Sequence, residues 1–274
     1  MTVEENNLME KLIKIQSNNF LLEKNENYFT LALEMMKNIG SINPTLRDEL
    51  IYGILYHWIT ENRLNFEQLR ELLNISLGNS HLFYKIGENH EDSVFKRSFS
   101  VLIVALIIYE FRKDNFLSEE MLKEVKTKII EYMLQERDLR GYVEEKGWAH
   151  SAAHTADALD ELAQCSYINK NDLINILNCL KAKVCIGYYV YIDEESERMV
   201  TVVESILNRK ILRDSEIIHW LQGFMGDKNQ SSYIDSYHLK VNIKGFLRSL
   251  YFRMLEKESS KFINEKIIKV LKEL

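Results

Sequence analysis

Phe99-Ser-Val-Leu-Ile-Val-Ala-Leu-Ile-Ile-Tyr109 is the most apolar run in the chain, and its reading decides the fold. Lys96 and Arg97 bound it on one side and Glu110, Arg112 and Lys113 on the other. A bilayer span needs about 20 apolar residues, so the run is too short to cross a membrane and is read as a fully buried central helix from about Asp92 to Phe111. Working outward, the 274 residues include only 10 glycines and one proline, Pro44. An average chain of this length carries roughly 19 glycines and 14 prolines. Strand-and-turn folds and parallel α/β folds need those residues at their corners and loops, so the deficit argues for helix after helix.

Start and stop signals recur at helix-length intervals. Residues 4–17 and 26–39 have helical periodicity, the second closed by Gly40. Asn43-Pro44 supplies a cap and a first-turn proline for a helix to about Asn62, and Asn65-Phe-Glu-Gln68 is a capping-box variant opening one that stops near Gly78. Ser118-Glu-Glu starts the next, to about Glu136. After a loop over 137–147, further helices are expected at 148–164, 171–184, 193–210, 214–224, 233–257 and 259–274. The expectation is about 11 helices in one all-α domain spanning residues 1–274, because short connections favour antiparallel neighbours and no proline- or glycine-rich linker divides the chain. Pro44-Thr-Leu46-Arg47 and Asp92-Ser-Val94-Phe-Lys-Arg97 each place an aliphatic residue and an arginine at a helix start, about 50 residues apart, near the period of HEAT and armadillo units. The expected architecture is a HEAT/armadillo-like α-α superhelix, with a compact irregular bundle as the alternative.

Charge narrows the function classes. The chain has 35 basic and 41 acidic residues, net −6, with the signs interleaved, which argues against nucleic acid as a partner. Cys165, Cys179 and Cys185 are odd in number and lack Cys-x-x-Cys spacing, as suits small buried hydrophobes in a reducing compartment. The N-terminal Met1-Thr-Val-Glu-Glu-Asn-Asn has neither the basic nor the apolar region of a secretory signal. These features lead us to expect a cytoplasmic protein without a membrane partner.

One stretch is chemically unusual: Glu136-Arg-Asp-Leu-Arg-Gly-Tyr-Val-Glu-Glu-Lys-Gly-Trp-Ala-His-Ser-Ala-Ala-His-Thr-Ala-Asp-Ala-Leu-Asp-Glu-Leu162. On a helix, with His150 at zero, His154, Asp157 and Glu161 fall at about 40°, −20° and 20°, a stripe about 60° wide. The opposite face collects Trp148, Ala149, Ala152, Ala156, Leu159 and Ala163. Residues 147–164 contain no lysine or arginine, unlike a plain solvated face. Two histidines at i and i+4 can reach one metal ion, with Asp157 as an oxygen ligand. Ser151 stands where the zinc-hydrolase motif His-Glu-x-x-His has its general base, so the protease version is rejected. The bland alternative is polar packing. In the preceding loop, Arg137, Arg140 and Lys146 can hold an anion beside a helix start, or pair with Asp138 and Glu136. Arg97, Trp58 and His57 are read as packing residues.

The pieces Leu46-Arg-Asp-Glu-Leu, Gly87-Glu, Asp92-Ser-Val-Phe-Lys-Arg-Ser-Phe-Ser100, Asp138-Leu-Arg-Gly-Tyr-Val-Glu-Glu-Lys-Gly-Trp-Ala-His-Ser-Ala-Ala-His-Thr-Ala-Asp157 and Glu195-Ser-Glu-Arg198 resemble an uncharacterised bacterial family, domain of unknown function 2785. The resemblance covers roughly residues 26–225, leaves the helices of 226–274 unmatched, and brings no catalytic residues with it.

The leading functional expectation is a binding or interaction module. It presents Arg140, Lys146, Trp148, His150, His154, Asp157 and Glu161 to a small anionic ligand or a peptide and needs no cofactor. The alternative is a metal-dependent hydrolase holding a divalent ion on His150, His154 and Asp157, with Glu161 or Glu145 as base and Arg140 on the substrate. A nucleic-acid binder is the third and weakest reading.

Overall fold

The computed structural model describes residues 2–226, 232–255 and 261–274. Over them the protein is all-α, with twelve helices and 69% helix against 2% strand. The expected helix ends at 257 and 259 lie outside the described residues. The chain divides into two units, Met1–Ala158 and Leu159–Leu274.

The first unit contains α1 (Val3–Ser17), α2 (Tyr28–Lys37), a π-wound segment (Thr45–Tyr52) that runs directly into α3 (Gly53–Thr60), α4 (Phe66–Ser76), α5 (Ser93–Asp114), α6 (Glu119–Gln135), the strands β1 (Tyr142–Val143) and β2 (Gly147–Trp148), and the start of α7 (Ser151–Ala163). Local chemistry sets most of these boundaries. Thr2 with Glu5 and Asn65 with Gln68 form reciprocal capping boxes, and Ser118 accepts the Met121 amide. Asn43 caps the Pro44 helix start by accepting from the Leu46 amide at 3.0 Å.

Helix α5 is the centre of this unit. Fifteen of its 22 residues are buried, as expected for a helix apolar on every side. Helices α3 and α4 pack directly on it. Its serines leave no open hydroxyl: Ser98 and Ser100 donate back to the carbonyls of Phe95 and Lys96. The helix ends at Asn115, whose left-handed φ of 50° and amide bond to the Phe111 carbonyl close the last turn.

The second unit holds the remainder of α7, α8 (Lys170–Val184), α9 (Glu195–Asn208), α10 (Asp214–Gln222) with a 3₁₀ turn (Gly223–Met225), α11 (Tyr233–Met254) and α12 (Lys261–Glu273). Helix α11 packs on α8, α9 and α12, and α10 packs on α12. Trp220, Phe224 and Phe246 form its aromatic core, with the indole N–H donated to the Leu177 carbonyl at 2.8 Å. Helix α7 has no basic residue in its last turn; Arg209 instead donates to the carbonyls of Ala163, Cys165 and Ile168. All three cysteines are free thiols. Burial pushes Cys179 up to about 12 and Cys185 up to about 11, so both behave as apolar packing. Among the described residues, no helix is long and apolar enough to cross a membrane.

The largest departure from the sequence pattern lies at 148–150. The expected helix over 148–164 begins only at Ser151, because Gly147 and Trp148 pair with Val143 and Tyr142 in an antiparallel hairpin. Positive φ angles of 62° at Glu145, 76° at Gly147 and 47° at His150 turn the chain twice before α7 starts.

Candidate functional site

The hairpin is held by buried charge. Arg47, carried by the π-wound segment, is fully buried and donates to the carbonyls of Ser41 at 2.8 Å and Lys146 at 2.7 Å. Its Nε lies 2.7 Å from Asp48, and its guanidinium covers the rings of Phe95 and Phe99 at 4.2 and 4.7 Å. Burial pushes the Asp48 carboxyl up to about 6 even with Arg47 opposing the shift. Only glycine fits at position 147: a Cβ there would sit 2.9 Å from Pro44 Cβ and 3.2 Å from an Arg47 nitrogen.

A second arginine ties the segment preceding the hairpin. Arg97, also fully buried, meets Glu136 in a two-pronged pair at 2.6 and 2.8 Å and donates to the Tyr84 carbonyl and the Ser93 hydroxyl. Burial opposes its charge, but the Glu136 carboxylate outweighs that and holds the guanidinium's pKa above its ordinary value. The second Glu136 prong also accepts the Arg137 and Asp138 amides.

Two of the three loop cations read as able to hold an anion have internal partners. Arg140 donates to Asp138 at 2.8 and 2.6 Å and to the Glu91 carbonyl at 2.9 Å. Lys146 binds both oxygens of Asp92 at 2.7 and 2.8 Å. Asp92 therefore serves the hairpin; it makes no side-chain cap on α5, where a sequence reading places one.

The rings form a row. Trp148 lies 5.1 Å from Tyr142, edge to face, and stacks on His150 at 4.4 Å; His150 meets His154 edge-on at 5.8 Å. Tyr142 and Trp148 are 57% and 41% exposed, whereas Trp58 and Trp220 are buried. His154 is buried against the Phe99 ring at 5.2 Å. Because His150 precedes α7 in a left-handed conformation, it is not on the helical stripe computed for it. Asp157 is half-buried in the first unit, and Glu161 belongs to the second. Among the described residues, no group of three His, Cys, Asp or Glu side chains is arranged to hold a metal ion.

Arg47 is the residue whose role sequence reasoning missed, although it matches Arg97 in the weak repeat of helix starts; Arg97, read as a packing residue, is buried against Glu136.

The family model of a protein of unknown function, DUF2785, matches residues 82–252, well over half of the chain. The chain belongs to this family. The match includes Arg97, Glu136, the hairpin and α7, and it continues to 252 through most of α11, past the 225 at which the sequence resemblance ends. Leu46–Leu50, with Arg47, lies outside it. No curated protein and no solved structure matches the chain. The family description names no activity, so no residue role comes from it.

Proposed function

We propose that the protein is a binding module of the helical-repeat class whose Tyr142–Trp148–His150 ring row seats a peptide segment of a partner. The observation that carries this is the exposure of a tryptophan and a tyrosine on a hairpin fixed by a fully buried arginine. Flat, rigid rings on an immobile support contribute contact area with little loss of side-chain entropy, which is the property of anchor residues in interfaces. Arg140 and Lys146 have Asp138 and Asp92 as partners, which favours the peptide over the small anion at this face. Helices that contact others close in sequence, α4 on α5 and α8 on α9, support the repeat class.

The test uses Trp148 as its own reporter, since the other two tryptophans are buried. Peptides selected on the full-length protein from a displayed random library should protect Trp148 from iodide quenching. Trp148→Ala should weaken them tenfold or more, about 1.4 kcal/mol, with an unchanged melting temperature. Peptides that bind W148A as well as the wild type, or a library that yields none above background, would overturn the proposal.

A further inference from the structure

Beside the hairpin, and separate from the ring row, the first unit contains a cavity of about 380 Å³ between the end of α2, the segment before α5 and the first turn of α5. Its size is that of a small-molecule site. Of the four carboxylates along it, Glu91 is exposed to solvent and the other three have partners. Glu5 accepts from the Ser41 hydroxyl and the Thr2 amide, Glu88 from the Ser93 hydroxyl with Lys85 at 3.5 Å, and Asp92 from Lys146.

Two cations lining the same cavity are different. Among the described residues, neither Lys37 nor Lys96 has a carboxylate within 4.0 Å. Lys96 is half-buried, its Nζ lies 5.3 Å over the Tyr84 ring, and among the described residues its ammonium makes one long hydrogen bond, 3.4 Å, to the Lys37 carbonyl. The fold makes room for its stem: a Cβ on Gly40 would fall 2.5 Å from Lys96 Cβ. Burial lowers the pKa of this ammonium, so a nearby negative charge would be stabilising.

We propose that this cavity is a binding site for a small molecule carrying an oxyanion, a phosphate or carboxylate group, with Lys96 as the principal contact and Lys37 as the second. Arg140 and Lys146, bonded to the Glu91 carbonyl and the Asp92 carboxylate, hold the wall of this cavity in place. They are positioning residues for it.

Inorganic phosphate and succinate, titrated separately into the full-length protein by calorimetry, distinguish the two sources of the oxyanion. At least one should saturate with Kd at or below about 1 mM. Lys96→Met should weaken it tenfold or more, while Lys96→Arg, which keeps the charge, should stay within about threefold. If K96M fails to fold, side-chain ammonium NMR of the wild type decides: the bound probe must shift the Lys96 resonance before those of other lysines. Saturation by neither probe, equal affinity in K96M, or shifts spread evenly over the lysines would each overturn the proposal. None of these results depends on Trp148, so failure here and failure of the peptide site are distinguishable.

Discussion

Arg47→Met removes a guanidinium that is wholly out of solvent and leaves an apolar side chain of similar length in its place. Two carbonyls lose their donor, those of Ser41 and Lys146 at 2.8 and 2.7 Å, and the Asp48 carboxylate loses the cation 2.7 Å away. A buried acceptor left without its donor costs about 1–3 kcal/mol. Breaking a buried ion pair by removing one member costs about 3–5 kcal/mol. Asp48 relieves part of the second cost, because burial has already pushed its carboxyl up to about 6 and it takes up a proton readily once the guanidinium is gone. Methionine also recovers some packing against Phe95 and Phe99. The expected loss is about 4–6 kcal/mol, a large share of the 5–15 kcal/mol typical of a folded domain.

The assay is urea unfolding of full-length R47M, together with iodide quenching of Trp148 below the transition. Quenching should rise before global unfolding, because the lost donor held the hairpin at the Lys146 carbonyl. Arg47→Met/Asp48→Asn should be more stable than R47M alone at pH 8, where the lone carboxylate is charged, and the gap should narrow as pH falls through 5, closing only below the ordinary carboxyl value of 3.8. An R47M variant within about 1 kcal/mol of wild type, less than one buried unsatisfied acceptor usually costs, would refute the clamp. A D48N benefit equal at both pH values would refute the account of the charge.

Three further outcomes follow from single contacts. Gly147→Ala places a methyl 2.9 Å from Pro44 Cβ at a φ of 76°, and should cost about 2–4 kcal/mol by thermal or urea melt; a neutral change would mean that the hairpin is not pressed against the Pro44 helix start. In the wild type, the folded Asp48 holds its proton more tightly than an ordinary carboxyl at 3.8, so its contribution to stability is whole below that pH and is lost as pH rises through about 6. Comparing wild type with D48N between pH 4 and 7 should reveal a fall of at most about 3 kcal/mol from this group, and parallel profiles would contradict it. Native Cys179 and Cys185, pushed up to about 12 and 11, should react with iodoacetamide at pH 8 far more slowly than in urea; equal rates in mass spectrometry would show the thiols to be accessible.

Helix starts were legible wherever the determinant is three residues away: Asn65 finds Gln68, Asn43 finds the Leu46 amide and Ser118 finds Met121. The buried α5 was legible because its charged borders and apolar interior lie in one continuous run. At 148–150 the same kind of reading failed. The 3.6-residue pattern of Trp148, Ala152 and Ala156 is real, but the backbone at Gly147 is set by Arg47, whose donor reaches a carbonyl 99 residues away in sequence. A periodicity calculation sees only local spacing, so it extended α7 through a hairpin. Arg140 and Lys146 read two ways for the same reason: charges near a helix start fit an anion site or internal pairing, and only the fold places Asp138 and Asp92 beside them.

The long motif is dense in charge because it joins separate segments: Arg97 to Glu136, Arg140 to Asp138 and the Glu91 carbonyl, Lys146 to Asp92. Side chains engaged in such a network hold the backbone in place and have little remaining capacity for a ligand. In the two proposals made above that capacity is assigned to the exposed ring of Trp148 on one face and to the ammonium of Lys96 in the cavity. Lys96 sits next to Arg97 in sequence, yet the same turn of α5 buries the arginine in a salt bridge and leaves the lysine with no carboxylate within 4.0 Å among the described residues. Of two adjacent cations on one helix, the one lacking an anionic partner is the better candidate to receive an anion from outside.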